Sequence, residues 1–144
     1  MRYVTLIFAF IAPIWLVKPL WAGKAAVIEA VKYIEDNGQC ITIFIVSIED
    51  DFRLPLQFEI DYDYYTRERV DQRWNKYLAF TIQKVNEPLG KEISDDAQSY
   101  ITKKFDQIVY QEYFPIKNSF AENGAKYFDT LYRECVKQFN ALQQ

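Results

Sequence analysis

The stretch CITIFIVSI, residues 40–48, decides between two fold classes for this chain. β-branched residues dominate it, which favours a strand, and the run is too short to span a membrane as a helix. We therefore predict that residues 40–48 form a buried strand. If they are helical instead, the protein is an all-α bundle, which is the alternative fold class.

The residues that follow support a second strand. Apolar and polar side chains alternate over Leu54–Tyr62, the period of a half-buried strand. Pro55 near the start of this run suggests an edge position, and Glu49–Asp51 supplies a charged turn. The two strands would form a short β-hairpin. A hairpin alone is marginally stable, so we expect it to pack on helices.

The rest of the chain shows helical periodicity in four segments. Apolar side chains recur at helical spacing over residues 24–36 and about 64–86. A third helix is expected after the N-cap residue Ser94 and before Pro115, and a final one carries the stripe Phe128–Leu142. The predicted fold is therefore α+β and mostly α. It is a small helical bundle of about four helices, with the hairpin between the first and second, in a single globular domain over residues 23–144.

The first 22 residues resemble a targeting segment. Arg2 is followed by 15 residues without charge, Tyr3–Val17, and then by Lys18 and Pro19. This length fits a signal peptide better than a membrane-spanning helix, which needs roughly 20 apolar residues. We expect a cleaved signal, with cleavage after Ala22 or Ala25, and hold an uncleaved single-span anchor and a buried N-terminal core segment as the alternatives.

Composition restricts the chemistry that the protein can perform. The chain contains no histidine, which removes Ser-His-Asp and Cys-His catalysis and nearly all catalytic zinc sites. Removing residues 1–22 takes away two cations and changes the net charge from −3 to −5. That charge disfavours nucleic acid and anionic lipid as partners. We expect no cofactor and no enzymatic activity.

The two cysteines, Cys40 and Cys135, form a candidate disulfide. In an oxidising compartment an isolated pair in a small domain is usually bridged. The alternative is two buried free thiols, since Cys135 lies on an apolar helical stripe.

Two further groups of residues are candidate sites. Glu59, Asp61 and Asp63 would share one strand face and are weak candidates for a cation site or a carboxylate enzyme, although a solvated face is the simpler reading. The segment from Tyr62 to Tyr77 is rich in Tyr and Arg, residue types that concentrate binding energy at protein interfaces. Its interface candidates are Tyr62, Tyr64, Tyr65, Arg69, Arg73, Lys76 and Tyr77.

These observations predict an exported, non-enzymatic protein, periplasmic or secreted, that binds another protein as an inhibitor, immunity factor or envelope-assembly component. One alternative is an acidic-hairpin module that binds cations or works as a carboxylate enzyme. Another is a single-span membrane protein whose domain acts in a complex outside the cytoplasm. In every case the membrane is contacted only through residues 1–22, if these are retained.

Overall fold

The computed structural model describes residues 23–90 and 94–143, and the regular structure within these ranges is entirely helical. The elements are α1 (Lys24–Asp36), α2 (Gly38–Ser47), α3 (Asp50–Glu59), α4 (Arg67–Asn86), a 3₁₀ turn (Glu87–Leu89) and α5 (Asp95–Leu142). The fold is a helical bundle, and the all-α alternative describes it. The predicted hairpin is wrong, because neither of its strands forms.

The stretch that was expected to be the first strand is helix α2. Every residue from Cys40 to Ile48 is buried. Ile and Val weaken a helix by only a few tenths of a kcal/mol per residue, whereas burying one such side chain stabilises by roughly 1.5–3 kcal/mol. A strand also needs a neighbouring strand for its backbone hydrogen bonds, while a helix satisfies them internally. Complete burial among helices therefore overrides the β propensity of this segment.

The predicted second strand lies mostly in helix α3. Its buried side chains are Phe52, Arg53, Leu56 and Gln57, which recur with helical rather than alternating spacing. Asp50 and Asp51 occupy the first turn, where carboxylates interact favourably with the helix dipole. Pro55 lies inside the helix and removes one backbone hydrogen bond without ending it. The alternation of apolar and polar residues over Leu54–Tyr62 therefore does not reflect a strand.

The other helices follow the sequence more closely. The hydroxyl of Ser94 accepts a hydrogen bond from the amide of Ala97 at 3.2 Å, which confirms it as the N-cap of α5. Pro115 was expected to follow the end of that helix but lies within it. The helix is interrupted instead at Gly124, whose φ of 84° and ψ of 179° are not helical.

The described residues form two compact units, each built from two separate chain segments. The first contains the described residues up to Gly38 together with Leu78–Tyr110, and the second contains Gln39–Tyr77 together with the residues from Gln111 onward. The core of the first unit includes Val27, Ala30, Ile34, Val85, Ile101 and Phe105. That of the second includes Ile41, Phe44, Leu56, Tyr65, Phe128 and Tyr132.

Aromatic rings make up much of the core of the second unit. Phe44 of α2 stacks on Tyr77, with ring centroids 4.4 Å apart and planes inclined by 16°. It also contacts Tyr132 and Phe139 of α5, at centroid distances of 5.3 and 6.5 Å. These contacts surround α2 with helices α4 and α5, which explains how a helix with apolar side chains on all sides is accommodated.

Cys40 and Cys135 lie at disulfide-bonding distance, with their Cα atoms 5.4 Å apart. The pair joins the first turn of α2 to the last part of α5. Residues 1–22, to which the prediction of a signal or anchor applies, lie outside the described residues. Among the residues that are described, no helix is long and apolar enough to cross a membrane.

Candidate functional site

Tyr64 lies between two arginine side chains. The guanidinium carbon of Arg73 is 3.6 Å from the centroid of the Tyr64 ring, and that of Arg133 is 3.9 Å from it. Arg73 also donates a hydrogen bond to the hydroxyl of Tyr132 at 3.4 Å. Two of the predicted interface residues, Tyr64 and Arg73, thus contact each other, and both are engaged by side chains of α5.

Tyr65 and Tyr77 are core residues. Tyr65 has no exposed surface, and its hydroxyl donates a hydrogen bond of 2.6 Å to the carboxylate of Asp129. Burial, reinforced by that carboxylate, raises the pKa of Tyr65 well above its ordinary value. Tyr77 is buried through its stacking on Phe44. The sequence grouped these tyrosines with surface residues because they are adjacent in the chain.

Arg69 and Lys76, two further interface candidates, are exposed on α4, where with Arg73 they follow one another at spacings of four and three residues. Lys76 lies 6.0 Å from the centroid of the Phe139 ring. Arg67, which the sequence did not single out, is more strongly engaged, because it pairs with Asp50 and donates to the carbonyl oxygen of Ile48 at 3.0 Å. It ties the start of α4 to the end of α2.

The acidic candidates do not form a common site. Asp61 accepts hydrogen bonds from the amide of Tyr64 at 3.0 Å and from the guanidinium of Arg133 at 3.2 Å. The hydrogen bond from the Tyr64 amide lowers the pKa of Asp61, and the hydrogen bond from Arg133 adds to this effect. Glu59 and Asp63 are exposed. Among the described residues, no group of three or more Asp, Glu, Cys or His side chains is arranged to hold a metal ion.

Glu49, in the turn before α3, has a partner from a distant part of the sequence. Its carboxylate accepts a hydrogen bond of 3.1 Å from the hydroxyl of Tyr113 on α5. Burial raises the pKa of Glu49, while the Tyr113 hydroxyl and the charge of Lys117 oppose that rise. Asp50 pairs with both Arg53 and Arg67. These two carboxylates therefore fix α3 to its neighbours.

The two most exposed large apolar side chains described in the second unit, Phe58 and Tyr62, lie on and just after α3, and Leu54 on the same helix is also exposed. Phe58 is 67% exposed, Tyr62 is 58% exposed and Leu54 is 39% exposed. The rings of Phe58 and Tyr62 pack edge to face with centroids 5.6 Å apart. At about 100° per residue, Asp51, Leu54 and Phe58 lie within roughly 60° of one another on the outer side of the helix.

Exposed carboxylates flank these side chains. Asp51, Glu59 and Asp63 are exposed, and none of them forms an ion pair within the described part of the chain. The acidic aromatic face is defined here as Leu54, Phe58 and Tyr62 with Asp51, Glu59 and Asp63. Of these six residues, the sequence predicted only Tyr62 as an interface residue, whereas Leu54 and Phe58 were assigned to the apolar face of the expected strand.

No protein-family model, no curated protein and no solved structure matches this chain.

Proposed function

We propose that this protein is an exported protein without enzymatic activity that binds a protein partner through the acidic aromatic face. One observation carries the proposal: Phe58 and Tyr62 pack against each other at the surface while most of each ring remains exposed. Single exposed apolar residues are common on soluble proteins, but a contiguous group bordered by charged residues is typical of interaction sites.

The charges around this face define the partner. Asp51, Glu59 and Asp63 border the apolar side chains and form no ion pair with any of the described residues. A partner that covers Phe58 and Tyr62 brings its own rim close to these carboxylates. Complementary charge there steers association and suppresses wrong partners. The expected partner surface is therefore apolar at its centre and bears Lys or Arg at its edge.

The apolar side chains of this face would contribute favourably to binding when a partner covers them. Burying a Phe side chain stabilises by roughly 1.5–3 kcal/mol, and aromatic residues are enriched among those that dominate binding at interfaces. Phe58 and Tyr62 support each other before binding, so ordering them costs less than ordering two free side chains. In contrast, Tyr65 and Tyr77 are buried, so they stabilise the fold and are not available to contact a partner.

A binding experiment with defined peptides tests the proposed face. The probe is an amphipathic helical peptide of Leu and Lys, compared with a peptide in which every Lys is replaced by Glu, both followed by fluorescence anisotropy. We expect the cationic peptide to bind and the anionic one not to bind. Phe58→Ser should weaken binding by about tenfold, equivalent to about 1.4 kcal/mol.

Tyr127→Ser is the matched control, because Tyr127 is an exposed aromatic of the same unit on α5, away from α3 in the sequence. It should bind the cationic peptide like the unmodified protein. Equal binding of both peptides, or equal losses in Phe58→Ser and Tyr127→Ser, would reject the acidic aromatic face as the interface.

Export is the second part of the proposal, supported by the sequence of residues 1–22 and by the Cys40–Cys135 pair, since disulfides persist in oxidising compartments. The intact mass of the native protein tests it. We expect a mass that corresponds to cleavage after Ala22 or Ala25 and to the loss of two hydrogens. A full-length mass with two free thiols would contradict export by a cleaved signal.

A further inference from the structure

An open cleft of about 470 Å³ lies within the first compact unit. It falls in the size range of pockets that bind small molecules, about 300–1,000 Å³. Helix α1 provides one side, and the end of α4 with the 3₁₀ turn provides the other. The lining residues are Glu29, Lys32, Tyr33, Asp36, Lys84, Glu87 and Pro88.

Four of the five charged side chains in this lining are already paired. Lys32 lies 3.3 Å from Asp36, and Lys84 lies 3.6 Å from Glu87. Glu29 has no ion pair within the described part of the chain. Among the described residues that line the cleft, the net charge left for a ligand is therefore that of one carboxylate without an ion-pair partner, Glu29.

Tyr33 and Pro88 add apolar surface beside that carboxylate. Glu29 and Tyr33 are four residues apart on α1, a spacing that places side chains on the same face of a helix. The hydroxyl of Tyr33 is shielded from solvent, so the part of this residue that lines the cleft is its ring. Burial raises the pKa of Tyr33 to about 12, and the phenol therefore adds no charge at neutral pH.

We propose that this cleft binds a small organic cation, an ammonium or guanidinium group on a short alkyl body. The cationic group pairs with Glu29, and the alkyl body packs on Tyr33 and Pro88. An anionic ligand would find Lys32 and Lys84 each already paired with a carboxylate, and Glu29 would repel it. This site is separate from the acidic aromatic face and does not depend on it.

NMR titration of the full chain with agmatine tests the proposal, because agmatine carries a guanidinium and an ammonium group without a carboxylate. We expect saturable shifts of the Glu29 and Tyr33 amide signals, with Kd on the order of 1 mM, since exposed ion pairs contribute little. Glu29→Gln should weaken binding about fivefold, as should Tyr33→Leu, while Tyr33→Phe should bind normally because its ring is kept.

Glu35→Gln is the matched control, since Glu35 is an exposed carboxylate on α1 that does not line the cleft. It removes the same charge and should leave agmatine binding unchanged. Circular dichroism establishes that each variant is folded. The proposal is overturned if the shifts do not saturate, if Glu29→Gln binds as tightly as Glu35→Gln, or if the dianion glutarate produces the same shifts as agmatine.

Discussion

A β-carbon added at Gly38 would lie 2.5 Å from Cγ2 of Ile108, closer than non-bonded carbon atoms approach. Gly38 begins α2 and Ile108 belongs to α5, so two helices meet here at a distance that only glycine permits. We expect Gly38→Ala to destabilise the protein by about 1–3 kcal/mol through overpacking. Urea unfolding measures the effect. Gln39→Ala, a change at the exposed neighbouring position, should lose little stability, and equal losses at both positions would contradict the close contact.

The hydrogen bond between Tyr65 and Asp129 is a second residue-scale feature with a measurable contribution. Tyr65→Phe keeps the ring in its buried position but leaves the Asp129 carboxylate without this donor. Asp129 retains Arg133, whose Nε is 2.8 Å from the same oxygen. We therefore expect a loss of about 1.5–3 kcal/mol in unfolding free energy, the range for hydrogen bonds to charged groups. Tyr127→Phe, at an exposed tyrosine, should change nothing measurable.

Buried tyrosines also predict how stability depends on pH. Burial raises the pKa of Tyr33 to about 12 and also raises those of Tyr65, Tyr113 and Tyr132. In the unfolded chain a phenol ionises near pH 10, so the unfolded state releases these protons first. The stabilisation is complete below about pH 10 and decreases as the pH rises above it. Thermal unfolding between pH 8 and pH 12 should show a falling Tm that is less steep in Tyr65→Phe. A Tm independent of pH over this range would show that the phenols are not perturbed.

Among the helices, a prediction from sequence succeeded where it rested on a local signal and failed where the conformation depends on distant residues. Ser94 was predicted as a helix N-cap and is one, because capping depends on a local hydrogen bond that the sequence displays. The stretch Cys40–Ile48 was misassigned, because its conformation depends on what surrounds it. An apolar run of nine residues fits a buried strand or a buried helix equally well. Its environment is supplied by residues far away in the chain, such as Tyr77 and Phe139.

Dependence on distant residues also limited how well the candidate site could be predicted from the sequence. The motif from Tyr62 to Tyr77 contains surface residues and core residues in close succession. Sequence alone ranks them by type, and Tyr65 and Tyr77 have the same type as Tyr62. Only the packing of α2 against α4 and α5 separates Tyr77, stacked on Phe44, from the exposed ring of Tyr62. The incorrect strand assignment of the α3 segment had the opposite effect. It placed Phe58 on a buried strand face, although this residue is exposed.

The interruption in α5 gives a prediction at the element scale. Gly124 has φ of 84° and ψ of 179°, a combination that essentially only glycine adopts, and an added β-carbon would meet no atom within 4 Å. Gly124→Ala should therefore destabilise through backbone strain alone, by about 1–3 kcal/mol. Urea unfolding provides the measurement, with the exposed Asn123→Ala as the control. A Gly124→Ala variant as stable as the unmodified protein would mean that the helix can run through this position.

At the scale of the whole molecule, the Cys40–Cys135 pair connects residues 95 positions apart. Closing a loop of that length removes conformational entropy from the unfolded chain, worth about 4–5 kcal/mol in chain-entropy terms. We expect the double variant Cys40→Ala with Cys135→Ala to lose roughly that amount relative to the oxidised protein, measured by urea unfolding. The reduced unmodified protein is the control and should resemble the double variant. If oxidised and reduced protein unfold at the same urea concentration, the bridge does not stabilise the fold.

The second compact unit has one more consequence, for the order in which the protein can be made. It combines Gln39–Tyr77 with the residues from Gln111 onward, and α2 is enclosed in part by Tyr132 and Phe139, which follow it at a long distance in the sequence. During synthesis the apolar side chains of α2 leave the ribosome roughly ninety residues before these partners do. At about 5–20 residues per second, α2 is without its final surroundings for roughly 5–20 seconds. The nascent chain therefore cannot complete this core before Tyr132 and Phe139 have been synthesised, and the apolar side chains of α2 lack these partners for that whole interval.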